Sequence, residues 1–170
     1  MRKIIFFSIV SILISLFMLN SISISSEIKT LDDLKNSSFY KKYPQKDPDS
    51  WPLKAGGYSY STYIDLKIDK NSLVLLEVLT KSKENPIIYR YSIMFHAGYM
   101  KQMKAFFYDF FSAVDSSLDA KAVIDYIQKH AAVKVPKSAD APKQTFGKYS
   151  VRVSNVSNAV TISIEKRAGT

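Results

Sequence analysis

The chain has 170 residues, of which 46% are hydrophobic and 23% charged, and its formal net charge is +9 at pH 7. This composition excludes a disordered tail and a collagen-like chain because the apolar content is ordinary, and the length fits about one domain. The sequence contains no cysteine, so it has no lipobox to acylate and cannot form a disulfide. The fold must therefore be held by its core alone.

The N-terminal segment has the three-part layout of a secretory signal peptide. Two basic residues precede an uncharged apolar run over residues 4–19, and small residues follow up to residue 26. An uncleaved membrane anchor is the alternative, but the run is shorter than a membrane span, which needs about 20 residues, and is interrupted by serines. We therefore predict a signal peptide over residues 1–26 and an exported protein, periplasmic or secreted, with cleavage after one of three serines: Ser23, Ser25 or Ser26.

The mature chain begins with a predicted helix and a loop. A helix over residues 30–43 is indicated by Thr30 as a capping residue, by two aspartates near the positive end of the helix dipole, and by Pro44, which ends the pattern. Residues 44–57 contain three prolines and two glycines and are typical of a loop. We expect Trp51 to anchor this loop to the body of the protein.

Three strands are predicted over residues 58–68, 72–80 and 87–95. The first alternates between apolar and polar residues, and the second is apolar at nearly every position, as expected of an interior strand. One face of the three strands should form the core, with these residues: Tyr60, Ile64, Leu66, Val74, Leu76, Val78, Tyr89, Tyr91, Ile93 and Phe95.

Charge pairing suggests a register for these strands. Pairing Thr80 with Ile87 across the second turn brings Glu77 opposite Arg90, an acid across from a base. Closing the first turn between Ile68 and Ser72 brings Tyr63 opposite Glu77.

The chain then changes to a helical period. Apolar residues recur at helical spacing over residues 96–114, residues 115–117 break the pattern, and a second helix follows over residues 118–132 with Ser116 as its cap. The phenylalanines of the first helix lie on too many sides of it to form a narrow contact stripe. We therefore expect their side chains to be buried, with a partly exposed docking face as the alternative. Residues 133–145 form a predicted loop.

A last hairpin closes the predicted fold. Placing Val153 opposite Val160 across a six-residue turn brings Lys148 opposite Glu165. The order β-β-β-α-α-β-β predicts an α+β fold of two layers, with an antiparallel sheet of about five strands and both helices on one face. Residues 27–57 would precede this single domain, which covers residues 58–170.

No pattern of residues points to catalysis or to a cofactor. His96 and His130 are the only histidines, and they form no HxH, HxxxH or HExxH metal motif. Neither a GxSxG nucleophile elbow nor a phosphate-binding glycine loop occurs. We expect no metal, cofactor or nucleic acid, and a small hydrolase that uses one of the histidines is the least favoured hypothesis.

The second face of the sheet is the most informative feature of the sequence. Apolar residues point there together with charged ones, so either the N-terminal helix and the Trp51 loop cover this face or it is a surface for binding or dimerisation. The candidate binding residues are Tyr63, Leu73, Leu75, Glu77, Leu79, Ile88, Arg90 and Met94.

Two functions follow as hypotheses. The leading one is a small exported, non-enzymatic domain that binds a protein partner, or a second copy of itself, through the sheet face or a strand edge. The alternative is an envelope-associated protein that binds anionic lipid or cell-wall polymer, because removal of the signal peptide with its two basic residues leaves a net charge of +7. The basic residues are scattered along the sequence, which is typical of a solvated surface rather than of a nucleic-acid site.

Overall fold

The computed structural model describes residues 27–69, 72–135 and 137–167. The predicted signal peptide lies outside these residues. No helix in the described part of the chain is long and apolar enough to cross a membrane.

A single antiparallel sheet of seven strands forms one layer of the fold. Its spatial order is β1-β2-β3-β4-β7-β6-β5, so β4 is the central strand and β1 and β5 are the edges. The strands are β1 (Gln45–Pro52), β2 (Tyr58–Asp65), β3 (Leu73–Thr80), β4 (Ile88–His96), β5 (Lys143–Phe146), β6 (Tyr149–Val156) and β7 (Ala159–Lys166).

Within the described residues, four α-helices form the second layer. The helices are α1 (Leu31–Asn36), α2 (Ser38–Lys42), α3 (Met103–Val114) and α4 (Ala120–Ala131). The side chain of Thr30 accepts a hydrogen bond from the Asp33 amide and the Asp33 carboxylate bonds back to Thr30, a capping box that fixes the start of α1. At α4 the Asp119 side chain caps the helix by accepting a hydrogen bond from the Ala122 amide.

The core lies between α3 and the sheet. The phenylalanine side chains of α3 are all buried, which confirms the expected burial and excludes their use as an exposed docking face. Phe39 of α2 packs edge-on against Phe106 and Phe110, with both ring-centroid distances at 5.2 Å. The N-terminal segment therefore shares the core with α3 and lies on the same side of the sheet. The α+β class with an antiparallel sheet is confirmed.

Two of the seven strands fall in segments that the sequence assigned to loops. The predicted count of about five strands is wrong because β1 and β5 extend the sheet at its two edges. Prolines are tolerated in β1 since an edge strand needs donors on one side only, and a bulge at Asp47, with φ at 48°, interrupts its pairing. Trp51 does not anchor a loop. It lies in β1 and is 39% exposed.

The predicted hairpin registers are wrong. In each hairpin, most of the observed residue pairs are shifted by two positions from the predicted pairs. Glu77 lies opposite Ser61 and Ser92 rather than Tyr63 and Arg90, and Glu165 lies opposite Ser150 rather than Lys148. The last hairpin closes with a two-residue turn, Ser157 and Asn158, whose positive φ values of 53° and 68° give the primed geometry of tight hairpins.

A shift of two residues keeps each side chain on its face. The predicted core face is therefore largely confirmed, although Leu66 and Tyr89 are only half-buried.

The helix starts also differ from the prediction. Strand β4 continues through His96, and a 3-10 turn over Ala97–Tyr99 precedes α3. The second helix starts at Ala120 with Asp119, not Ser116, as its cap.

A cluster of charges ties the first described residue to the sheet. Lys148 lies 2.8 Å from a carboxylate oxygen of both Glu27 and Asp115, and Lys166 lies 2.8 Å from Glu27. Burial alone would raise the pKa of Asp115 and of Glu27. Hydrogen bonds and charge from Lys148, together with those of Lys166 at Glu27 and the hydrogen bonds of Ser117 at Asp115, outweigh burial in sum and hold both pKa values below their usual range.

Replacing Lys148 by methionine should destabilise the fold, because Asp115 would stay buried without its cation. We expect the free energy of unfolding at pH 7 to fall by about 2 to 3 kcal/mol, measured by urea denaturation, while Lys129→Met, at an exposed position of α4, changes it little. Folded-state pKa values below the unfolded ones stabilise the protein at pH 7, and this contribution is lost as the pH falls below about 4. The deficit of Lys148→Met should therefore shrink at pH 3, and a deficit that persists there would contradict the assignment.

Candidate functional site

The face of the sheet opposite the helices, called the open face below, is the candidate site. Along β2, β3 and β4 the side chains alternate between this face and the core. None of the α-helices in residues 27–69, 72–135 and 137–167 packs on it, since α1 and α2 share the core with α3. The alternative in which the N-terminal helix and the Trp51 loop cover this face is therefore wrong for the described residues.

An apolar patch occupies one half of the open face. We define it as Tyr63, Leu73, Leu75 and Met94, which line a shallow depression of about 320 Å³ together with His96 and Asn158. Tyr63 is 42% exposed, and Leu73 and Met94 are each 40% exposed. Since Tyr63 pairs with Leu75 and Leu75 with Met94 across three neighbouring strands, these side chains form one contiguous surface.

Polar and charged residues form a line across all seven strands beside this patch. The strand registers connect them pairwise from β1 to β5. This transverse row consists of Asp49, Ser61, Glu77, Ser92, Ser163, Arg152 and Lys143. Its carboxylates lie on β1 and β3, its cations lie on β6 and β5, and serine occupies the central strand.

An ion pair borders the row on the side away from the apolar patch. Arg90 donates a hydrogen bond of 2.9 Å to Glu165 on the neighbouring strand β7. This hydrogen bond, together with the charges of Arg90, Lys143 and Arg152, holds the pKa of Glu165 below its usual range. Glu165 is therefore a carboxylate at neutral pH, and its negative charge balances the positive charge of Arg90.

The structure places most of the candidate binding residues on the open face. Ile88 is the exception. A bulge between Leu79 and Thr80 inserts Tyr89, so Thr80 pairs with Ile88 and the Ile88 side chain turns into the core, where it is 5% exposed. Leu79 lies on the open face but is only 8% exposed. The residues that share this face are Tyr63, Leu73, Leu75, Glu77, Leu79, Arg90 and Met94.

Sequence reasoning missed the contributions of the two edge strands. The missed residues on this face are Asp49, Trp51 and Lys143. They were missed because each belongs to a strand that the sequence assigned to a loop. The short stretch of alternating residues before the Phe146-Gly147 turn is a weak signal for β5. For β1 no such signal was visible, because its prolines are typical of a loop.

Neither histidine lies in a catalytic arrangement. The Nδ1 atom of His96 accepts a hydrogen bond from the Gly98 amide, and the His130 ring packs against Tyr126 at 4.5 Å between centroids. Within the part of the chain that the structure describes, no serine hydroxyl bonds to either histidine and no group of three metal-binding side chains occurs.

A second polar surface lies on the helix side. Lys42, Lys101 and Lys104 surround a shallow depression next to Tyr108, which is 58% exposed. Lys42 is 2.6 Å from Asp109, so part of this positive charge is neutralised locally.

Comparison with known proteins gives no further guide. No protein-family model, curated protein or solved structure matches this chain. The function must be argued from the geometry of the chain itself.

Two neighbouring leucines of β3 test whether the open face is a surface. Leu75→Glu should fold with a free energy of unfolding within about 1 kcal/mol of the parent chain, because the new carboxylate stays in water. Leu76→Glu should prevent folding, since Leu76 is fully buried and would carry a charge into the core. Circular dichroism and urea denaturation measure both. Equal losses in the two variants would show that this face is covered.

Proposed function

We propose that this protein is a small exported, non-enzymatic interaction domain that binds a protein partner through the open face of its sheet. The observation that carries the proposal is the contiguous apolar patch bordered by charged residues. An apolar centre with a polar rim is the usual anatomy of a protein interface. Export is the expectation from the N-terminal sequence.

Large side chains on the open face suit the anchoring role in such an interface. Tyr63 and Met94 protrude from the apolar patch, and Trp51 lies on the same face near the β1 edge, opposite Ser59. Aromatic residues, above all Trp and Tyr, dominate the binding energy of many interfaces because they bury a large area at a small entropic cost. The charged row would then fix orientation rather than supply most of the affinity.

The sheet edges are poor alternatives to the face. Strand β1 contains Pro48 and Pro52, a bulge at Asp47 and exposed charges, while β5 has only four residues. Prolines, bulges, charges and short edge strands all oppose the addition of a foreign strand. This favours face-on docking over the strand-edge binding also considered from the sequence.

The packing on the core side of the sheet favours a rigid open face. The strands that carry the apolar patch are packed on their other side against the phenylalanines of α3, such as Phe95 against Phe107 at 5.6 Å between centroids. A surface held in place before binding loses little conformational entropy when a partner docks.

A second candidate function rests on the lysines around Tyr108. An exposed aromatic ring among basic side chains is suited to the interface of an anionic membrane or polymer. Binding of this kind would depend on charge and weaken as salt increases.

Photo-crosslinking from the two surfaces separates these candidates. Benzoylphenylalanine is placed at Leu75 in one variant and at Tyr108 in another, in cells that export the chain, with Lys129 on α4 as the background control. We expect a discrete protein adduct from position 75 that survives high salt and is lost when Asp49 and Glu77 are changed to lysine. Salt-sensitive lipid or polymer adducts from position 108 alone would favour the second candidate and contradict the first.

A further inference from the structure

The charges of the transverse row are segregated in a way that suits a self-complementary interface, and two further ionic groups of the open face, Lys46 with Asp65 and Arg90 with Glu165, are paired within the chain. In the transverse row, Asp49 and Glu77 lie on one side of the central strand, and Arg152 and Lys143 lie on the other. Ser92 of β4 marks the middle of the row. A surface that is acidic on one side and basic on the other attracts a copy of itself turned by 180°.

We propose that the partner of the open face is a second copy of this chain, packed face to face about a two-fold axis that runs parallel to β4. The inference rests on the proposed function, because it names the partner for the same surface. This axis reverses the order of the strands in one copy relative to the other. Strand β1 of each copy then lies over β5 of the other, and Asp49 faces Lys143 at both ends of the interface.

The sizes of the side chains fit the same axis. A second row across the face contains Tyr63, Leu75, Met94, Thr161 and Ser154, in that order from β2 to β6. Turning one copy about β4 puts Leu75 over Thr161 and Tyr63 over the position of Ser154, whose small side chain is only 4% exposed and leaves room above it. Met94 meets Met94 at the axis, where its flexible thioether adapts to the fit.

The remaining charges near the axis do not oppose this arrangement. Arg90 lies on the central strand and would approach its own copy, but each Arg90 is hydrogen-bonded to Glu165 at 2.9 Å. Glu77 would lie over Ser163, one strand away from Arg152 of the other copy. The interface therefore places no carboxylate directly over another in these two rows.

The area of the face is sufficient for a stable dimer. Six strands of eight or nine residues, spaced about 4.8 Å apart, span about 24 Å by 26 Å, and the four-residue β5 brings the face to about 700 Å². A standard interface buries about 800 Å² on each partner. Two sheets packed face to face keep their strands within about 30° of each other, which an axis parallel to the strands allows.

Reversal of the facing charges tests this dimer. The full-length chain is expressed, its exported form is purified, and the dimer dissociation constant is measured by sedimentation equilibrium for Asp49→Lys, for Lys143→Asp, for their equimolar mixture and for the double variant. Each single variant should dimerise about tenfold more weakly than the parent chain, because both ends of the interface would carry like charges.

The mixture and the double variant supply the decisive outcomes. Both restore opposite charges at each end, so both should regain the affinity of the parent chain. Glu84→Lys and Lys129→Asp, which make the same charge changes away from the open face, should have no effect. A parent chain that is monomeric at every concentration, or single variants no weaker than these controls, or a mixture that does not recover, would overturn the proposal.

The same measurements separate this inference from the proposed function. A monomeric parent chain that still gives a heterologous adduct from position 75 would refute the dimer and leave the binding role in place. A monomeric chain with no adduct from that position would refute both.

Discussion

The need to bury α3 determines which face of the sheet is left for function. Five of its twelve residues are phenylalanine or methionine, and all five side chains are buried. Helices α3 and α4 have twelve residues each, so each is about 18 Å long. These two helices alone do not cover one face of the seven-stranded sheet. The short helices α1 and α2 complete the cover on the same side, through Leu34 and Phe39. The described α-helices therefore all pack on one face of the sheet. The other face carries none of them, although Arg152 there donates a hydrogen bond to the backbone oxygen of Ala139.

This arrangement explains how a cysteine-free chain holds its shape. The aromatic core is continuous from Phe39 through α3 to the central strands, and the ion cluster around Lys148 fastens the first described residue to the sheet. The positive net charge is unevenly distributed. Within the transverse row, acidic and basic groups are separated by the central strand, a pattern that neither total charge nor sequence spacing conveys.

The sequence predicts which face of the sheet a side chain lies on better than it predicts which residue it pairs with on the neighbouring strand. The alternation in β2, β3 and β4 assigned Leu75 to the open face and Leu76 to the core although the register was shifted, because a two-residue shift preserves the face. Ile88 was misplaced because the bulge inserts one residue, and a shift of one reverses the face. The transverse row could not be predicted, since it depends on the unrecognised edge strands and on the pairing of β4 with β7, whose residues are more than 60 positions apart.

The accessibility of Met94 tests most directly whether the open face is a surface used for binding. The chain has no cysteine, so a single thiol introduced by Met94→Cys, or by Ile93→Cys on the core side, reports on one position at a time. We expect the position 94 thiol to react with a maleimide as fast as a free thiol in dilute protein and to become protected as the concentration rises or a partner is added, while position 93 stays protected throughout. Protection of position 94 at every concentration would show that the chain covers this face itself and would contradict the account.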